Sequence, residues 1–327
     1  VNKTITEYND AWIPQRADPY VYRHKDGTYY FTASVPEYDR IVLRKANQLY
    51  ELNQAQEQVI WTKHESGPMS KHIWAPELHY IFDHWYIYFA AGEAENMWNI
   101  RPYVLECLGD DPMKDPWREI GKMQAADEDD FSFRNFSLDS TVFEHRGNYY
   151  FVWAEKVGVG KMISNLYIAQ LETANKLKSA QVLLTTPDYD WERDGFWVNE
   201  GPAIIKRGDK IYLVFSASAT GACYCMGMMF ANQEDDLLDP RSWDKERYPV
   251  LETDEKKGIY GPGHNSFTQD EAGEDILVYH ARQYEEIQGD PLYDPNRHAM
   301  LMKMKWTKDN YPIFDYKSNI SVNPSKS

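Results

Sequence analysis

Cysteine is scarce in this chain: Cys107, Cys223 and Cys225 are the three among 327 residues. Cys223 and Cys225 stand one residue apart and would point to opposite faces of a strand, which makes them poor disulfide partners. An odd count without framework spacing excludes a disulfide-stapled scaffold and favours a reducing compartment. Neither a C-x-x-C pair nor an H-E-x-x-H helix is present, so the common zinc sites are excluded. "GVGKM" (158–162) lacks the earlier Gly and the following Ser or Thr of a phosphate-binding loop. Nowhere do eighteen apolar residues follow one another, which excludes a membrane-spanning helix, and the start "VNKTITEYNDAW" has no basic head and apolar run of a signal peptide. Basic residues are in deficit, 35 Lys and Arg against 51 Asp and Glu, a formal net charge of −16. That balance argues against nucleic acid and anionic membrane as partners and suits a neutral ligand. A cytoplasmic location is the expectation, with secretion left open because the chain does not begin with Met. The sequons at Asn2, Asn135 and Asn319 carry little weight without a secretion signal. No Gly/Ser-rich linker divides the chain, so residues 1–327 read as one domain, and nothing specifies an oligomeric state.

Aromatic residues are abundant: 15% of the chain, with 24 Tyr and 11 Trp. Such an excess serves either an aromatic-rich β core or a surface on which the apolar faces of sugar rings stack. Many of these residues fall in a repeat. Five segments share one plan, a polar opening residue, a strand, a turn, and a second apolar strand ending in small residues. They are "DPYVYRHKDGTYYFTAS", "ELHYIFDHWYIYFAAG", "DSTVFEHRGNYYFVWA", "EGPAIIKRGDKIYLVFSAS" and "HNSFTQDEAGEDILVYHAR". Aligned on Phe31, Phe89, Phe151, Leu213 and Leu277, the second strands lie 58, 62, 62 and 64 residues apart. Turns are expected at Asp26-Gly27, Asp83-His84, Gly147-Asn148, Gly208-Asp209 and Ala272-Gly273. Further strand-like runs follow each hairpin. About four short strands in every sixty residues predict an all-β fold, a five-bladed β-propeller. A β-sandwich would not explain the interval. Residues 1–17 and the tail from "HAMLMKMKW" through "YPIFDY" are expected to complete the last blade. The acidic run Asp127–Asp130 lacks the spacing of a calcium loop and is read as solvated.

In a propeller, equivalent ends of the inner strands converge on the axis. Asp18, Glu77, Asp139, Glu200 and His264 open those strands, so the repeat gathers four carboxylates and an imidazole that are far apart in sequence. Singly, each is an ordinary turn cap; their recurrence is what suggests a site. Two chemistries fit such a ring. One is an oxygen cage for a hard cation such as calcium. The other is glycoside hydrolysis, in which one carboxylic acid protonates the leaving oxygen while a second carboxylate activates water. Glu200 lies in an aromatic setting, "DGFWVNEGP", that favours a protonated carboxyl, whereas Asp18 in "RADPY" has Arg16 nearby to favour ionisation. A non-catalytic sugar-binding propeller is the rival, but the opening residue changes from blade to blade, which suits divided roles.

At these residues the chain resembles glycoside hydrolase family 43 over nearly its whole length. "ADPY" carries Asp18, "LDST" carries Asp139 and "NEGP" carries Glu200, in the family's order. The resemblance implies that Asp18 is the general base, Glu200 the general acid and Asp139 the carboxylate that tunes the acid, with inversion at the anomeric carbon. The runs "YYFTASVPEYDRIVLRKA", "WTKHESGPMSKHIWAPELH" and "YIYFAAGEAENMWNIR" are similar to exo-acting members that release single arabinose units from α-1,5-linked arabino-oligosaccharides. β-Xylosidase and endo-arabinanase activities occur on the same fold. On this resemblance Trp74 walls the terminal sugar pocket, Glu77 touches that sugar, and Arg282 contacts the sugar and Asp139. His264 is implied as the ligand of an axial calcium or similar ion that the chemistry itself does not require. The chain ends soon after the fifth blade, without room for an appended carbohydrate-binding module, which suits short oligosaccharides.

Overall fold

A computed structural model describes residues 11–320. Five antiparallel blade sheets follow one another along the chain, each built outward from its first strand, and a two-stranded ribbon, Lys305–Trp306 with Pro312–Ile313, comes after them. Blade 1 comprises β1 (Ala17–Arg23), β2 (Tyr29–Ser34), β3 (Arg40–Ala46) and β4 (Gln58–Thr62). Blade 2 comprises β5 (Lys71–Ile81), β6 (His84–Gly92), β7 (Arg101–Cys107) and β8 (Trp117–Lys122). Blade 3 holds β9 (Ser137–His145), β10 (Asn148–Gly158), β11 (Met162–Thr173), β12 (Lys176–Leu177) and β13 (Val182–Thr185). In blade 4 are β14 (Asn199–Arg207), β15 (Lys210–Ala217), β16 (Cys225–Asn232) and β17 (Asp244–Lys245), and in blade 5 β18 (Tyr260–Gln269), β19 (Asp275–Arg282) and β20 (His298–Lys303). The molecule is a five-bladed β-propeller.

The second strands are apolar without alternation because a blade has neighbours on both faces. "YYFTAS" in β2 and "DILVYHAR" in β19 are buried at every position, whereas the outer β4, "QVIWT", is mostly exposed. One apolar cluster fills each gap between blades. Ile41 and Leu43 meet Ile73 and Ile87 between blades 1 and 2; Val21 and Phe31 meet Val278 and Leu301 where blade 5 returns to blade 1. Each large side chain so buried contributes about 1.5–3 kcal/mol from its area alone. At the edge of β20 the Ala299 N–H donates to Ile13 O at 2.9 Å, and the Ile320 N–H donates to Leu301 O at 2.9 Å. Both described ends thus lie on the last blade; residues 1–10, named above in its closure, and Asn2 lie outside the described residues.

Two turns shift from their expected places. Ile81 pairs with His84 and His145 with Asn148, so the hairpins turn on Phe82-Asp83 and Arg146-Gly147, each one residue early. All four turn residues have positive φ, the twist that two-residue hairpins require. Asp129 is not solvated: its carboxylate accepts the N–H groups of Phe131, Ser132 and Gln181 at 2.7–3.1 Å and is buried.

The inner strands share a device that sequence alignment did not show. Each breaks register at a residue in the left-handed region: Asp18 (φ 53°), Ala75 (48°), Asp139 (54°), Gly201 (56°) and His264 (41°); β5 and β18 break a second time, at His72 (52°) and Gly261 (59°). Each of the first five stands three residues before the inner-strand partner of Phe31, Ile87, Phe151, Leu213 or Leu277. Such bulges re-aim a strand end and cost backbone strain in every residue but glycine. Blade 2 is therefore registered on Ile87, not Phe89, and the equivalent of Asp18 in that blade is Ala75.

Candidate active site

At the bulged ends of the inner strands lies one cavity of about 420 Å³, whose walls draw on all five blades: Tyr38, Trp74 and Trp98, Phe136 and Leu138, Phe196 and Val198, Asp290 and Leu292. Asp18, Asp139, Glu200 and His264 line it, as does Arg297. Trp74 forms part of the wall, stacked on His72 with ring centroids 4.5 Å apart.

The bulge on β1 buries the Asp18 carboxylate among donors. Ser34 Oγ donates to Oδ2 at 2.5 Å and itself accepts the Ala75 N–H at 2.7 Å. His264 Nδ1 lies 3.1 Å and Arg297 Nη1 3.8 Å from Oδ1. Burial alone would raise the pKa of Asp18, but the His264 and Arg297 charges outweigh it and hold the carboxyl well below the usual carboxylate range. His280 is neutral there: burial drops its pKa to about 3, and its Nδ1 accepts the Asp18 N–H at 3.0 Å.

Asp139 and Glu200 sit in the opposite setting. Asp139 Oδ2 accepts the Gly201 N–H at 3.1 Å and lies 3.6 Å from His264 Nδ1. Burial, opposed by His264 and reinforced by the charges of Glu200 and Asp18, lifts its pKa to about 8. Glu200 borders the cavity, and its Oε1 accepts the Tyr224 hydroxyl at 2.9 Å. Burial raises its pKa too, against the pull of His264 and of that hydrogen bond. These neighbouring carboxyls hold a proton under conditions where Asp18 has lost its own. The backbone fixes the arrangement tightly. A Cβ on Gly201 would lie 3.3 Å from the His264 ring, and one on Gly263 would lie 2.2 Å from Tyr224 Cε1.

Three expectations are corrected. Glu77 does not border the cavity; it lies two residues past the Ala75 bulge, buried, with Oε1 2.9 Å from His79 Nε2. The slip from Ile87 to Phe89 had put it in Ala75's place. Arg282 is buried behind the wall, where it binds Asp294 Oδ1 at 3.2 Å and the carbonyls of Thr220 and Pro291 at 2.5 and 2.7 Å, so that it pins two wall loops together. The arginine at the cavity is Arg297, which the sequence reading missed because "DPNRHAM" lies outside the repeat. His264 gains no support as a calcium ligand. Burial lowers its pKa, but the Asp18 and Asp139 side chains that its Nδ1 faces raise it overall, and among the described residues no group of three or more His, Cys, Asp or Glu is arranged to hold a metal.

Tyr224, Ser34 and Lys156 also escaped the sequence reading. Gly201 and the Tyr224 partnership were legible only as "EGP" and as one Tyr among 24.

Comparison with known proteins points the same way as this geometry. Residues 12–312 match the model of glycosyl hydrolases family 43. An extracellular exo-α-(1→5)-L-arabinofuranosidase of Streptomyces avermitilis is 47% identical over 308 residues, 94% of this chain and 63% of that protein. One of the same name from Streptomyces chartreusis is 49% identical over 285 residues, 87% of this chain and 85% of the relative. The chain thus spans less than two thirds of the first relative's length. The crystal structure of an α-L-arabinofuranosidase from Lactobacillus brevis superimposes with a TM-score of 0.88 at 48% identity, over 94% of this chain and 96% of that one. The names of both Streptomyces proteins lend no support to a cytoplasmic location; the three cysteines are free, but an odd thiol count does not identify a compartment. Among the described residues no helix is long and apolar enough to cross a membrane. With its family pattern matched from the first blade to the last and its three carboxyls gathered in one cavity, the chain belongs to glycosyl hydrolases family 43.

Proposed function

We propose that the protein is an exo-acting, inverting α-L-arabinofuranosidase that removes terminal arabinofuranose from α-1,5-linked arabino-oligosaccharides. The observation that carries this reading is the opposed setting of two carboxyls in one cavity: Asp18 among donors that lower its pKa, Glu200 desolvated so that its pKa is raised. A general base and a general acid need that division. Asp18 takes a proton from a water that attacks the anomeric carbon, while Glu200 gives its proton to the departing glycosidic oxygen. In an inverting enzyme the two groups lie about 6.5–9.5 Å apart, leaving room for that water. Asp139 anchors the acid's strand through the Gly201 N–H and, with His264 between it and Asp18, keeps the two electrostatic settings distinct.

Two buried donors speak for a hydroxyl-rich ligand. Among the described residues Trp74 Nε1 and Arg297 Nε have no hydrogen-bond partner, and both residues border the cavity. A buried donor left unpaired is costly, and sugar hydroxyls would satisfy both. Walls contributed by every blade favour a pocket for a chain end over a groove for its middle. The names of the Streptomyces relatives favour arabinose, exo action and a secreted protein.

Time-resolved proton NMR of the protein acting on α-1,5-arabinotriose tests this reading. Arabinose should appear first as the β anomer, and Glu200→Gln should lower kcat by about 10²–10⁴-fold while the fold is kept. The α anomer would refute inversion, and a ladder of internal fragments would refute exo action. Unchanged turnover by Glu200→Gln would remove the acid.

A further inference from the structure

Lys156 stands on the cavity wall with no part in the steps above. It lies on β10 opposite Ser164 of β11, and Ser164 bridges to Val198, two residues before Glu200. Its ammonium is 4.1 Å from the centre of the Phe136 ring, a cation–π contact that fixes its position. Among the described residues, Nζ has neither an ion-pair partner nor a hydrogen-bond acceptor, although burial removes enough water from it to lower its pKa. An ammonium carries three donors. Among the described residues none of the three finds a protein acceptor, which leaves them to whatever fills the cavity, water or ligand.

The position of Glu200 says which part of the ligand that is. The acid protonates the departing oxygen, so the leaving sugar lies on Glu200's side. Lys156, Ser164 and Val198 form that side, with Phe196, 67% exposed, at its rim. Asp18 and Arg297 come from blades 1 and 5, where the attacking water is activated. We propose that Lys156 donates a hydrogen bond to a hydroxyl or ring oxygen of the sugar in the leaving position, and so selects oligosaccharides over glycosides whose leaving group has no such oxygen. The proposal rests on the hydrolytic reading above. Lys156 forms no bond and transfers no proton in the step; it binds and orients the departing sugar.

Two substrates and two variants test it. α-1,5-Arabinobiose and methyl α-L-arabinofuranoside both leave as poor alkoxides and both need the proton of Glu200, but only the first sets a sugar beside Lys156. Lys156→Met keeps an unbranched apolar stem over Phe136 and removes the donors. It should lower kcat/KM for arabinobiose about tenfold or more beyond its effect on the methyl glycoside. Lys156→Arg, which keeps donors, should restore part of that gap. Equal losses on both substrates would overturn the proposal, because they would mean that Lys156 acts through Glu200 or through the fold; so would no loss on either. A parent protein that hydrolyses neither glycoside would overturn the hydrolytic reading and the proposal with it.

Discussion

Replacing Tyr224 by Phe isolates one hydrogen bond of Glu200, the proposed acid. The tyrosine is 1% exposed, and its ring stacks on His280 with centroids 5.6 Å apart and planes 15° from parallel. Phenylalanine preserves that stack and removes the hydroxyl that donates to Glu200 Oε1 at 2.9 Å. The bond stabilises both forms of Glu200, but unequally. A hydrogen bond to a charged acceptor is worth about 1.5–3 kcal/mol, and one to a neutral acceptor about 0.5–1.5 kcal/mol. The difference, roughly 1 kcal/mol, is the preference for the ionised form that Tyr224 supplies. Without it the proton of Glu200 is held more firmly, and the alkaline limb of kcat/KM should move up by a little under about one pH unit. The acid limb, set through Asp18, should stay in place. The assay is the pH dependence of kcat/KM for arabinobiose, measured for parent and variant in one buffer series. An alkaline limb that stays put or moves down would refute the assignment of Glu200 as the group that must keep its proton.

Two further outcomes follow from the same electrostatics. His264→Gln removes the cation that lowers the pKa values of Asp18, Asp139 and Glu200, so both limbs of the pH profile should move up together; displacement of one limb alone, or of either downward, would count against an imidazolium between them. Glu200→Gln should gain stability as pH rises. In the parent the folded state binds the Glu200 proton more tightly than the unfolded state, so stability is full below the ordinary value of 4.5 and falls as pH rises through the raised one. The variant has no such loss. Its melting temperature should match the parent's near pH 4 and exceed it at pH 7–8; equal melting at both would show that Glu200 is not held protonated by burial.

Much of this architecture was legible in the sequence because it is repetitive. Second strands buried on both faces, such as "YYFTAS" and "KIYLVFSA", leave continuous apolar runs at a nearly constant interval. Asp18, Asp139 and His264 could be found because they occupy the recurrent bulge itself. The misplacement of Glu77 has a definite cause: aromatic identity favoured Phe89 over Ile87 as the register mark. A strand repeats every two residues, so a slip of two keeps every side chain on its proper face, and hydrophobic pattern gives no warning of it. Only the pairing of Leu78 with Ile87 exposes the slip.

What the repeat could not announce is whatever breaks it. Glu200, the proposed acid, stands one position before its bulge, because the bulge in blade 4 belongs to Gly201. There the left-handed backbone and the approach of His264 to 3.3 Å leave little room for a side chain, and the glycine's N–H goes to Asp139. The acid is thus displaced by one residue from the ring that Asp18, Asp139 and His264 form, and that offset puts it beside Tyr224 and away from the donors that ionise Asp18. Arg297, Tyr224 and Lys156 come from segments outside the five hairpin units and do not share their pattern. A fivefold ring of identical groups would give every carboxyl much the same environment and so much the same proton affinity. The departures from symmetry, in Gly201 and in the residues between the repeats, are therefore what would let one blade's carboxyl serve as a base and another's as an acid, the roles proposed for Asp18 and Glu200.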